Sequence, residues 1–361
     1  MRFAATWSGG GLTAQDQNQV DKTVKDFLSK YSIPGAGIAI ARNGKLVYAR
    51  GYGKAITEKN IWMNPKHRQR IASVSKPITS AAIMKLIEDT DLELGDKVFG
   101  PGSILGDKHG TAPLKAGYAD ITLQQVLEHT SGLPTNDGND PMFENTDFNH
   151  DELFDWTLDN YDLLFTPGSD YRYSNFGYAV LGRVIEEVTG KNYQSYVRDA
   201  IMKPAGANGA IIGGNTKAQR KKGEVVYYAQ SGNAYTHNIA RMDGHGGWIS
   251  SPIDLLRFAV RFDGEPTRPD YISGPSRTTM LTVSPQNSRY AKGWVISNSG
   301  SASHNGFIWG NRSRMKCRSD DICWAVLLNG HSTDDDFGSE ADALGDVVTN
   351  LIDKWPTYDL F

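Results

Sequence analysis

The chain has 361 residues, a formal net charge of −3, 39% hydrophobic and 22% charged residues. It is long enough to bury a large core, as one big domain or two interleaved ones, and too apolar to be disordered. Basic and acidic residues are mixed along the whole length, which argues against nucleic-acid or membrane-surface partners, and no apolar run approaches the ~20 residues needed to span a bilayer.

The opening Met1-Arg2-Phe3-Ala4-Ala5-Thr6-Trp7, followed by Ser8-Gly9-Gly10-Gly11, contains no long apolar stretch. No secretory signal is read there, and a cytoplasmic location is expected. Val20, Val24, Phe27, Leu28 and Tyr31 recur at helical spacing and predict an amphipathic helix over 13–31, ended by Ile33-Pro34-Gly35. Residues 37–41 and 45–50 flank Asn43-Gly44 and predict a β-hairpin. Residues 71–84 read as a buried helix starting at or just before Ser73, because Pro77 is tolerated only in an opening turn.

From about 91 to 150 the chain is rich in Gly, Asp, Asn and Pro, interrupted by a helical segment over 122–129. The long polar stretch after Thr135 is of the kind that frames a site or lacks order. Helices are expected at 153–158, 177–189 (closed by Gly190), 193–201 and 252–262, while 207–238 reads as strand-like and polar. Strands follow at 293–296, 303–309, 311–318 and 322–328, then a helix carrying Leu344, Val347, Val348, Leu351, Ile352 and Trp355. Cys317 and Cys323 flank a hairpin turn where a cross-strand disulfide is geometrically possible; without an export signal, two unpaired buried cysteines are expected instead.

This layout predicts an α+β fold. Strands from both chain ends share one antiparallel sheet flanked by the terminal helices, and a mainly helical lobe is inserted between them. Strands and helices do not alternate, so a doubly wound sheet is excluded. The boundaries are 13–75 with 240–361 for the sheet domain and 76–239 for the lobe.

Ser73 and Lys76 lie three apart and so share a helix face, where hydroxyl and amine can meet. The positive end of the helix favours an alkoxide and disfavours an ammonium. Serine needs a base, and lysine is one only if its surroundings lower its pKa from about 10.4 by several units. Ser-x-x-Lys alone fits a helix-capping serine with a solvated lysine equally well. Two further patterns strengthen the reading. In Tyr171-Arg172-Tyr173-Ser174-Asn175-Phe176-Gly177, Tyr173 and Asn175 are two apart in a loop and can project into one cleft. Ser303-His304-Asn305-Gly306-Phe307 opens a strand. Lys/His-x-Gly also occurs at Lys108, Lys115, Lys221 and His245, but His304 comes last and is followed by a strand pair. His129 and His245 are read as structural. There is no zinc-type Cys/His spacing, no Gly-rich phosphate loop and no Gly-x-Ser-x-Gly elbow.

The order Ser-x-x-Lys, Tyr-x-Asn, His-x-Gly resembles the serine β-lactamase and penicillin-binding-protein superfamily. Ile33-Pro34-Gly35-Ala36-Gly37, Ile121-Thr122 with His129-Thr130-Ser131-Gly132-Leu133-Pro134, Pro167-Gly168, and Gly246-Gly247-Trp248-Ile249-Ser250-Ser251 with Asp254-Leu255 resemble the branch of class C β-lactamases, D-alanyl peptidases and β-lactamase-like esterases. The likeness runs from about residue 20 to 355. It implies that Ser73 is the acylated nucleophile and that Lys76 and Tyr173 share the proton work, with the cation beside Tyr173 lowering its pKa from about 10. Asn175 would bond Lys76 or a substrate carbonyl. The backbone N–H groups of Ser73 and Phe307 would form the oxyanion hole, Gly306 would let the strand approach the acyl group, and Asn136 would offer the substrate an amide.

Many members carry lysine where this chain has His304, which is largely neutral near pH 7. That weakens the case for a carboxylate-bearing substrate, and Phe307 and Trp309 add apolar surface for a small or aromatic acyl group. The resemblance thus implies a carboxylesterase-type serine hydrolase that cleaves small esters or amides through acyl-Ser73, without metal or cofactor. The alternatives are a β-lactamase, a D-amino-acid peptidase or amidase, an acyltransferase on the same apparatus, and a catalytically inactive binding protein.

Overall fold

In the computed structural model, which describes residues 12–135 and 140–361, Thr13 accepts a hydrogen bond from the Asp16 amide and so starts helix α1 (Ala14–Lys30). Strands β1 (Gly35–Arg42) and β2 (Lys45–Ile56) follow, joined by Asn43 and Gly44 with φ of 49° and 70°. That pair of left-handed residues turns the chain with the twist a hairpin needs, which Asn-Gly tolerates and bulkier pairs do not. Short strands β3 (Ile61–Trp62) and β4 (Gln69–Arg70) lead into a 3₁₀ turn over Ala72–Val74 and helix α2 (Ser75–Asp89).

The inserted region carries α3 (Leu123–Leu127), α4 (His150–Asn160), α5 (Asn175–Thr189) and α6 (Tyr193–Val197), with strands β5 (Ile211–Ile212) and β6 (Tyr228–Ala229). Capping boxes at Thr122/Gln125 and Asn149/Glu152 fix the starts of α3 and α4. The chain then returns through β7 (Trp248–Ser250), α7 (Pro252–Ala259) and α8 (Gly274–Leu281). It ends with β8 (Val295–Ile296), β9 (Ala302–Ile308), β10 (Asn311–Cys317), β11 (Ile322–Leu328), β12 (Gly330–His331) and α9 (Phe337–Asn350).

Among the described residues, seven strands form one antiparallel sheet in the order β3-β2-β1-β11-β10-β9-β8. The two chain ends meet where β1 pairs with β11, from Ala36↔Leu328 to Arg42↔Ile322. The fold is α+β, as the sequence predicts. Alternate residues of β1 and β11 feed two cores. Ile38, Ile40, Trp324 and Val326 pack under α1 and α9 with Val24 and Val348. Ala39, Ala41, Ala325 and Leu327 face the larger core, which continues through α2, α5 and α7. Helix α2 is buried from Ser75 to Met84, as befits a helix apolar on nearly all sides, so its position is set by packing rather than by propensity. No helix of the described residues is long and apolar enough to cross a membrane.

Several expectations need correction. Residues 207–238 hold only the short strands β5 and β6 and a 3₁₀ turn over Lys217–Gln219, and are otherwise irregular. Helix α8 was not expected, because only Met280 of its residues is buried and no apolar period marks it. Helix α9 ends at Asn350, so Leu351, Ile352 and Trp355 follow it while still packing against its core. Cys317 and Cys323 are bonded to each other rather than unpaired. They are register partners across β10 and β11, with Cα atoms 4.0 Å apart, close enough for a bridge. The readings of residues 1–11 and of Asn136 fall outside the described residues.

Candidate active site

Ser73 sits on the 3₁₀ turn that precedes α2, not within the α-helix itself. The residue before it, Ala72, has φ +45°, a left-handed conformation that costs a Cβ-bearing residue roughly 1–2 kcal/mol. Its neighbours hold it there: the Ile71 N–H donates to the Trp248 carbonyl at 3.0 Å, and the Ser313 hydroxyl donates to the Ile71 carbonyl at 2.6 Å. Strand β9 crosses this turn at Gly306, where a Cβ would come within 2.3 Å of the Ile71 oxygen and 2.5 Å of Ser313 Oγ. Only glycine permits that approach.

Lys76 is completely buried one turn further on. Its Nζ lies 3.0 Å from Ser73 Oγ, 2.7 Å from Asn175 Oδ1 and 3.3 Å from the His245 carbonyl. Burial holds its pKa well below the usual lysine value, with Asp140 pulling the other way. A neutral amine has two N–H donors and one lone pair. The Asn175 and His245 oxygens can only accept, so they take the two hydrogens and the lone pair is left facing the Ser73 hydroxyl.

Asn175 opens α5, whose cap Ser174 accepts from the Gly177 N–H at 3.0 Å and donates to the Pro134 carbonyl at 2.5 Å. Tyr173 stands beside it, its ring centroid 4.5 Å from Lys76 Nζ. Burial pushes its phenol well above the usual tyrosine value, and the neighbouring Ser73 hydroxyl offsets this only in part. The expected lowering by an adjacent cation is therefore corrected. The neighbouring amine is itself driven toward its neutral form, so Tyr173 keeps its hydrogen.

His304 on β9 completes the constellation. Its Nδ1 is 2.6 Å from the Asn305 carbonyl and so carries the hydrogen, which leaves Nε2 to accept from the Tyr290 hydroxyl at 3.3 Å. The Tyr290 oxygen in turn accepts from His129 Nε2 at 3.1 Å, and His129 Nδ1 accepts from the Ser174 N–H at 3.1 Å. Every group in this chain of bonds is neutral and each hydrogen has one assignment. Burial, reinforced by Lys76, pulls the His304 pKa down to about 3. Beside the chain, the buried pair Lys292–Glu128 at 2.6 Å ties the same two segments together.

Of these residues Ser73, Tyr173, Tyr290 and His304 line a cavity of about 330 Å³, together with Tyr171, Val295, Asn305, Gly306 and Phe307. Wider clefts lie elsewhere, one of about 1010 Å³ beside Trp62, but neither Ser73 nor Tyr173 lines them. Residues 20–349 match the sequence model of the Beta-lactamase family.

The chain belongs to the Beta-lactamase family. It is 27% identical over 299 residues to Protein flp of Staphylococcus aureus, a match that covers 80% of this chain but 57% of that protein. It therefore spans little more than half the length of that relative. Its fold is similar to that of D-amino acid amidase from Ochrobactrum anthropi complexed with L-phenylalanine, with TM-score 0.77, 21% identity, and 94% and 98% of the two chains covered. It is also similar to EstCE1, a hydrolase with promiscuous acyltransferase activity, with TM-score 0.73, 19% identity, and 92% and 98% covered.

In this Beta-lactamase-family chain the structure brings Ser73, Lys76, Tyr173, Asn175, His304 and Gly306 to one place, from segments far apart in sequence. Phe307 also lines the cavity; it is 48% exposed, and its ring packs edge-on against His331 at 5.4 Å. Trp309 does not line the cavity. It lies past β9, against Gly232 and 5.3 Å from His331. The motifs did not reveal Tyr290, the His245 carbonyl or Asp140. Asp140, 5% exposed, accepts from Asn175 Nδ2 at 2.6 Å. His129 is structural as expected, but its ring bonds to two distant segments, at Tyr290 and Ser174. These groups form no sequence pattern, since each acquires its partner only through tertiary contact.

Proposed function

We propose that the chain is a serine hydrolase that cleaves small neutral esters or amides through a covalent acyl-Ser73 intermediate, the sheet parts (13–75 and 240–361) and the lobe (76–239) acting as one catalytic unit. The Lys76 amine takes the Ser73 proton as Oγ bonds the acyl carbon, and the carbonyl electron pair moves onto its oxygen. The N–H groups of Ser73 and Phe307 would receive that oxyanion. The ammonium then returns its proton, by way of the Tyr173 phenol, to the alkoxide or amine as the old acyl bond breaks. Water repeats the sequence on the acyl-enzyme, with Ser73 Oγ as the leaving group. An alcohol or amine in place of water would give acyl transfer, the promiscuous activity of EstCE1.

The observation that carries the substrate class is His304. Both its ring nitrogens are engaged within the protein, and the described cavity lining holds no lysine or arginine to meet a carboxylate. Tyr171, Tyr173, Tyr290 and Phe307 instead offer an aromatic wall suited to an uncharged acyl group. The test is a p-nitrophenyl acyl ester against a chromogenic cephalosporin, with Ser73→Ala as control. Faster ester cleavage, abolished in the variant, is expected; the opposite order would overturn the ester reading. Failure of a fluorophosphonate probe to label Ser73 would leave a binding protein.

A further inference from the structure

We infer that Asp140 is a positioning residue for proton transfer at Lys76, acting through the side-chain amide of Asn175. This rests on the serine-hydrolase reading above. Asp140 is buried just before a 3₁₀ turn over Pro141–Phe143; Oδ1 accepts from the Met142 N–H at 2.9 Å and Oδ2 from Asn175 Nδ2 at 2.6 Å. An amide has one donating and one accepting end. A carboxylate oxygen satisfies only the donating end, so Asn175 must turn Oδ1 toward Lys76, as the 2.7 Å contact records.

The reversed amide would set oxygen against oxygen at Asp140 and point its NH₂ at the lysine. That NH₂ would capture the amine lone pair now directed at Ser73, and the base would be lost without any atom leaving the pocket. Asp140 thus selects the face of Asn175 that keeps Lys76 competent. The other charged or titratable groups around this carboxylate are Lys76, Glu144, Arg241, Tyr161 and Tyr173. Arg241 spends its guanidinium on the carbonyls of Met142, Glu144, Asn145 and Phe148, so it shapes the segment rather than pairing with Asp140.

A capping role alone would be indifferent to the second oxygen, and Asp140→Asn separates the two roles. It retains an acceptor for the Met142 N–H but presents NH₂ to Asn175, favouring the reversed amide. We expect kcat on a p-nitrophenyl ester, and the rate of fluorophosphonate labelling, to fall at least about tenfold with KM and melting temperature near the parent's. The acid limb of kcat/KM should move to lower pH, because the charge that raised the lysine's pKa is gone. In an Asn175→Ala background the same change should cost little more. An unaltered labelling rate, or a full additional loss in that background, would overturn the inference. Should Asp140→Asn fail to fold, Asp140→Glu serves: the longer carboxylate can still reach the amide, so a parent-like acid limb is expected and a limb at lower pH counts against the proposal. No labelling of the parent would instead refute the hydrolase reading itself.

Discussion

The Tyr290 hydroxyl stands 3.3 Å from His304 Nε2 and occupies the only nitrogen of that ring still able to accept. The contact joins the segment before β8 to the strand that borders Ser73, and through His129 it reaches the loop that carries Tyr173. Tyr290→Phe removes one oxygen and leaves two buried ring nitrogens, one on each histidine, without partners. A buried unsatisfied group costs about 1–3 kcal/mol. A destabilisation of that size in urea unfolding is expected, with a rise in the pH at which kcat/KM begins to fall as His304 is freed to protonate. Unchanged stability together with an unchanged pH profile would show that the chain of bonds is incidental.

Lys76 poses the opposite trade. Its amine is buried and driven toward its neutral form, a state that is costly to hold and useful only for chemistry. Lys76→Met fills nearly the same volume without a polar head. Stability should change little, because ending the burial of an amine offsets the loss of the donor to Asn175 Oδ1 and the His245 carbonyl, about 1–3 kcal/mol for a group left unsatisfied. Ester turnover should drop by about 10² or more, the loss typical of a missing general base. Calorimetry and a p-nitrophenyl assay on one preparation decide it; retained turnover would move the proton-accepting role to another group.

Gly306 tests the close approach of β9 to the nucleophile turn. A methyl group there would lie 2.3 Å from the Ile71 oxygen and 3.0 Å from Ala72 Cβ. Neither atom can swing away, because one is backbone and the other belongs to the strained residue before Ser73. Gly306→Ala should therefore cost about 1–3 kcal/mol, as overpacking does, and reduce labelling of Ser73 as the turn shifts. Parent-like stability and labelling would mean that the strand can relax outward.

What could be read from the sequence follows from which forces act locally. The Ser73–Lys76 contact depends on a three-residue helical offset, and the β1–β2 hairpin on Asn43-Gly44, so both were legible. Tyr173, Asn175, His304 and Gly306 were legible through the order of their motifs, not through any period. Asp140 was not, because in a polar stretch a buried acid looks like any turn acid until Asn175 is found against it. The pairing of Cys317 with Cys323 was legible as a possibility. It was decided by the β10–β11 register, which places the two opposite each other. Tyr173 shows a limit of a different kind: its position was readable, but its protonation depended on how deeply both it and its amine neighbour are buried.

The buried histidines make stability itself depend on pH. Burial pulls the His304 pKa down to about 3 and those of His129 and His245 well below the ordinary value of about 6.5. All are neutral in both folded and unfolded chains above that value, so they contribute no slope there. Below about pH 6.5 the unfolded chain takes up protons that the folded chain refuses, and stability falls as pH drops toward 3. Asp140 and Asp263, both pushed up to about 6, act in the other direction: the folded chain binds their protons more readily, so their contribution grows as pH falls through 6 toward the usual carboxylate range. His67, His237 and His331 are lowered as well, and Glu224 and Asp270 raised, so among the described residues six imidazoles with the wider window outweigh four carboxylates with the narrower one. The urea midpoint should therefore be flat from pH 8 to 7 and then decline between 6.5 and 4.5, as the unfolding free energy falls by roughly 1.4 kcal/mol per pH unit for each uncompensated histidine. His304→Gln should make that decline shallower. A midpoint that stays constant to pH 4.5 would mean that these imidazoles can take up protons without unfolding the chain, against the neutral bonding pattern assigned to His304 and His129.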